Sequence, residues 1–164
     1  MLHGAEAASL AALGDDHGAQ LALDRAAAHY EHICMDQEPP WMHFYDQGEL
    51  LAQYGRVHRD MARRNRQHAA SAILWTQAAI AGMSQQNVRS IVLNEAGLCS
   101  ALLLAGDTDQ ALAIGGALMT HGAQLTSCRV HDRIRNLARD IPADADSTLA
   151  DFRHSAARFE VMTA

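Results

Sequence analysis

The densest grouping of soft metal ligands in the chain is His29-x-x-His32-x-Cys34. On a helix, His29 and His32 stand three residues apart and share a face, which is the placement a zinc ion asks of two imidazoles. A zinc site also needs a fourth ligand and a supporting shell of hydrogen bonds, and the spacing supplies neither. The expectation is a plain helix C-terminus, where imidazole meets the negative end of the helix dipole and Cys34 packs as a small apolar residue. The other histidines are scattered from His3 to His154 without a Ser or Cys nucleophile pattern. No Glu is followed by His three residues later, so the Glu-x-x-His ligands of di-iron bundles are missing too. These residues predict no enzyme, no metal and no cofactor. The remaining charged feature is a basic run, Arg56, Arg59, Arg63, Arg64 and Arg66. It could hold an anionic partner. The expectation is a solvated helix end that complements the dipole and the Asp60 charge.

Whatever these side chains do, helices must position them. Of 164 residues, 49% are hydrophobic and 32 are Ala, the strongest helix former, while mean hydropathy is only −0.15. Three Pro and few β-branched residues exclude a sandwich or barrel. The formal charge is −6 with a pI near 5.9, and all 13 basic residues are Arg. That balance offers no footprint for a phosphate backbone, so no direct nucleic-acid binding is expected. Three widely spaced cysteines, Cys34, Cys99 and Cys128, give neither a disulfide framework nor a Cys-x-x-Cys pair, which fits a reducing cytoplasm. The first residues lack a basic leader region, and no uninterrupted apolar run reaches the ~18 residues of a membrane span. A cytoplasmic protein without a membrane partner is expected.

Helical periodicity, cut by its breakers, predicts about eight helices, near residues 3–13, 16–33, 40–62, 66–82, 86–105, 107–121, 126–139 and 147–160. Pro40 is placed in the first turn of the third, where its missing N–H costs nothing. Leu50, Tyr54, Val57 and Met61 form a packing stripe on that helix, which also carries Trp41, Phe44 and Tyr45. The turns repeat. Gly14-Asp15 with Ala19 aligns with Gly106-Asp107 and Ala111, and a third copy around 61–69 keeps Ala69 but has Arg64 in place of Gly. Glycine supplies a left-handed stop, and the small Ala one turn later lets two helices approach closely. Paired helices of this kind stack, because one pair cannot bury its apolar face alone. The prediction is one all-α domain over 1–164, an antiparallel helix-pair solenoid with turns near 14–16, 63–66 and 106–108.

In these features the chain resembles tetratricopeptide-like helical repeats. More narrowly it resembles the C-terminal region of actinobacterial helix-turn-helix (XRE-type) transcriptional regulators. The narrower likeness rests on Pro40-Trp41-x-x-Phe44-x-x-x-x-Glu49-Leu50, Gly55-Arg56, Gly106-Asp107-x-x-Gln110-Ala111, Ser127-x-Arg129-Val130-x-Asp132-Arg133 and Asp151-Phe152-Arg153. The repeats are degenerate: the pairs are longer than the usual ~34 residues and most consensus aromatics are missing. Residues 1–164 carry no helix-turn-helix segment, so DNA binding by this chain itself is not expected, whether it is a truncated regulator, a stand-alone partner of one or a fragment. The resemblance implies a tetratricopeptide-like superhelix whose first helix in each pair lines a concave groove for a protein, a peptide or a small ligand. It implies groove residues Asp46, Glu49, Arg89 and Asn94, against a plain reading of Glu49 and Arg89 as intramolecular partners. The functional expectation is a non-catalytic regulatory binding domain, part or partner of a bacterial transcriptional regulator. The alternative is a structural module that forms a homodimer, and a metal-dependent enzyme comes third.

Overall fold

Aspartate starts four of the helices. In the structure, a computed structural model describing residues 1–42 and 44–159, the chain is all-α. The described residues hold eight α-helices and no strand: α1 (Leu2–Leu13), α2 (Asp16–Tyr30), α3 (Gln47–Ala62), α4 (Ala69–Gly82), α5 (Val88–Ala105), α6 (Thr108–Ala123), α7 (Cys128–Asn136) and α8 (Ser147–Ala157). The expected end of the last helix near 160 lies outside the described residues. The side chains of Asp15, Asp46, Asp107 and Asp146 accept from the backbone N–H of Gly18, Glu49, Gln110 and Leu149, satisfying donors that each first turn would leave orphaned. Gly14 (φ 88°) and Gly106 (φ 85°) end α1 and α5 in the left-handed region, the two positions where a side chain would be strained. Stop and cap are therefore adjacent residues, and α1/α2 and α5/α6 fold back on each other across very short turns.

The chain divides into two compact units, Met1–Gly82 and Met83–Ala164. In the first, α3 is central: it packs against α1, α2 and, most extensively, α4. The core joins Ala7, Ala11, Ala19, Ala22, Leu23 and Ala26 to Leu50, Tyr54, Val57 and Met61, so the stripe expected on the third helix is buried. Tyr54 Oη donates to the Leu23 carbonyl at 2.8 Å, giving the buried phenol its partner. Alanine and glycine set the separation between α3 and α4. A Cβ on Gly55 would lie 2.2 Å from Thr76 Oγ1 and 3.1 Å from the Thr76 backbone nitrogen.

In the second unit α5 is the central element, contacting α6, α7 and the short 3-10 turn Leu137–Arg139. By length and composition α5 could cross a membrane. Its apolarity has a local cause, because Val92 and the run Ala96–Leu103 are buried against its neighbours. α6 also approaches α7 and α8 through absent side chains: a Cβ on Gly122 would meet Ile134, and one on Gly115 would meet the Phe152 ring.

Three expectations are corrected. The third helix begins at Gln47 instead of 40, and Pro40–Met42 is only a 3-10 turn. The cause is local chemistry: Asp46 with Glu49 three residues on has capping-box spacing, which sets a stronger start than a proline does. Trp41 and Phe44, off the helix, are 71% and 60% exposed, while Tyr45 takes the buried position with its Oη donating to Gln53 Oε1 at 2.8 Å. The arginine run is a solvated end at Arg63, Arg64 and Arg66, and Arg63 pairs with Asp60 at 2.6 Å as expected, but Arg59 departs from it: it is only 5% exposed because α3 is covered on several sides, and Arg64 also reaches Asp16 at 2.6 Å. Cys34 is exposed beyond the end of α2, which stops at Tyr30, and so does not pack as an apolar residue.

Candidate binding pocket

Val88, Ile91, Val92 and Glu95 fall at i, i+3, i+4 and i+7 of α5, one apolar face with one carboxylate on it. This face lines a pocket of about 220 Å³ closed by Gln85, by His121 near the end of α6, and by Gln124 and Leu125 beyond it. The Gly106 turn brings the end of α6 alongside the start of α5. Gly122 lets α6 settle onto Ile134 of α7, which fixes where its neighbour His121 emerges. The floor is held from below. Buried His131 lies 2.6 Å from the Leu125 carbonyl through Nε2, and since a carbonyl can only accept, that nitrogen carries the proton.

The electrostatics of the pocket centre on Glu95. Its Oε2 is covered and has no hydrogen-bond partner. The nearest charge partner is His121 Nδ1 at 3.6 Å, a partner only while that ring is protonated. His121 is itself 52% exposed, standing over the carboxylate from the solvent side. A covered carboxylate oxygen without a hydrogen bond, in a lining of three β-branched residues and a leucine, is an acceptor left for an incoming donor.

A second depression of about 470 Å³ adjoins the first and shares Leu125 with it; Arg89, Thr126, Ser127, Cys128 and Arg129 complete its lining. Of the residues expected in a groove, Arg89 is therefore exposed on this wall. Asn94 turns back on its own helix, donating to the Ser90 carbonyl at 2.9 Å and approaching Met83 Sδ at 3.7 Å. Asp46 and Glu49 lie together at the start of α3 in the first unit, joined by the capping hydrogen bond. Glu95 and His121 were absent from the sequence-based candidates. A lone Glu interrupting the apolar α5 stripe was the available signal for one, whereas His121 is placed by tertiary packing alone.

The first unit has its own polar cluster. Asp16 accepts from Arg64 at 2.6 Å and faces His68 Nε2 at 3.5 Å, and the His68 ring lies 5.9 Å from buried His58. Burial above all, and His68 beside it, hold the His58 pKa below the usual 6.5. His29, expected at a helix end, stacks on His3 at 5.0 Å, and His3 bonds Glu6 at 2.9 Å. Among the described residues no group of three or more His, Cys, Asp or Glu side chains has a metal-holding arrangement.

Compared with known proteins, the chain matches no family model, no curated protein and no solved structure.

Proposed function

We propose that this protein is a non-catalytic regulatory domain that binds a peptide or small ligand, and that it acts in the cytoplasm as part or partner of an actinobacterial transcriptional regulator. The observation that carries the binding role is the α5 pocket: an apolar lining that holds one carboxylate, whose Oε2 has no hydrogen bond. Concave sites with an apolar lining and a few placed polar groups are the usual form of recognition sites. The regulatory setting and the tetratricopeptide-like helix-pair solenoid rest on the sequence resemblance. The tight α1/α2, α3/α4 and α5/α6 pairs support the latter.

Panning a random peptide library on the immobilised protein tests the binding role. Enriched peptides are expected to shift the amide resonances of Val88, Ile91 and Leu125 and to lose binding to Ile91→Asp. Peptides that map elsewhere, or none enriched, would refute peptide binding at this pocket and leave the role resting on a small ligand. A homodimerisation module is the second reading, favoured by Leu2 and Leu13, which stand more than four-fifths exposed on α1. Light scattering separates the two: a monomer whose pocket still binds excludes assembly as the main role.

A further inference from the structure

We infer that the α5 pocket, taken as a binding site in the reading above, is selective for an aliphatic primary ammonium. The size of the cavity argues first. About 220 Å³ is smaller than the ~300–1,000 Å³ of pockets that enclose drug-sized ligands, so the occupant is one side chain or a short amine. The lining argues next. Val88, Ile91, Val92 and Leu125 suit a short methylene chain, and Glu95 offers an acceptor-only carboxylate, beside the amides of Gln85 and Gln124 that can turn a carbonyl inward, to a head group that has three N–H donors and no acceptor. A carboxylate ligand is repelled by Glu95, and an alcohol brings one donor where the lining offers several acceptors.

The orphaned oxygen argues last. Glu95 Oε2 lacks a hydrogen bond, and His121, half exposed, places its Nδ1 3.6 Å away, too long for one. An ammonium that displaces the ring gives the oxygen the charge-assisted donor it lacks. Such a group comes from outside the chain's own side chains, because the sequence contains no lysine. The net charge of −6 favours approach of a cation. Two sources share this chemistry, a free small amine and a lysine side chain on a partner.

Titration of the isotope-labelled full chain with n-pentylammonium, 1-pentanol and pentanoate at one pH, followed by resonances of Val88, Ile91, Glu95 and Leu125, tests the inference. Pentylammonium is expected to bind about tenfold more tightly than pentanol, the scale of one hydrogen bond to a charged group, and pentanoate more weakly than both. Glu95→Gln, which keeps shape, is expected to abolish the preference for the ammonium while leaving pentanol binding unchanged. His121→Ala, which removes the competing ring, is expected to tighten ammonium binding. Tighter binding of Nα-acetyl-lysine amide than of pentylammonium assigns the site to a partner's lysine, and the reverse assigns it to a free amine. Equal affinities for ammonium and alcohol at these residues overturn the inference while the binding role stands. Binding by neither probe overturns the inference, and the binding role then falls only if the peptide panning fails as well.

Discussion

His58 illustrates what a single side chain contributes in this protein. It is buried beneath Tyr54, its Nδ1 has no hydrogen-bond partner, and His68, Asp16 and Arg64 are the charged or titratable groups gathered near it. Burial disfavours the imidazolium, so the folded pKa lies below that of the unfolded chain. Between those two values the unfolded state binds more protons, and stability therefore rises with pH. The His58 contribution is complete above about 6.5 and is lost as pH falls toward the folded value. Thermal melts at pH 7.5 and 5.5 should show the wild type losing more stability on acidification than His58→Leu, which cannot titrate; equal losses would assign the acid sensitivity elsewhere. Glu95 differs in kind. Glu95 lines a cavity, where a ligand can supply the partner its Oε2 lacks.

Among elements, the α3/α4 pair shows how small residues set geometry. Gly55 faces Thr76, whose hydroxyl is already committed to the Ala72 carbonyl at 2.7 Å, and the Thr76 backbone stands close behind. A larger side chain cannot be accommodated by rotating one flexible group, because backbone must move as well. Gly55→Val is expected to cost about 1–3 kcal/mol, with β-branching in a helix adding a little. Urea denaturation monitored by Trp75, which packs on this core, measures it. A loss below ~0.5 kcal/mol would show the two helices to be more loosely packed than the structure has them. Capping contributes at the same scale. Asp15→Ala should cost about 1 kcal/mol by the same measurement, since Gly18 N–H then loses its acceptor.

For the whole molecule, the division at Gly82 leads to a further expectation. The first unit holds its own buried core and its own ion pair from Asp16 of α2 to Arg64 just beyond α3. A fragment spanning 1–82 should fold alone, with helical circular dichroism and a cooperative melt; a chain that stays unfolded would make the core dependent on the second unit. Local features of the sequence were enough to determine that the protein is helical and where α1 and α5 stop, while α2 ends at Tyr30 and α7 at Asn136, three residues short of their expected ends. Alanine propensity, left-handed Gly14 and Gly106 and the aspartate caps act within a few residues of themselves, and their effects do not depend on what else the helix touches. Such signals also marked the Leu50, Tyr54, Val57 and Met61 stripe as packing. They misjudged Pro40 because two local starts competed, and the Asp46 cap prevailed. Tertiary packing alone decided that Arg59 is buried, that Trp41 and Phe44 face water, and that His121 stands over Glu95 from 26 positions further along the chain. The physical reason is that burial and charge pairing depend on which surfaces the helices present to one another, and no spacing along a single helix records that choice.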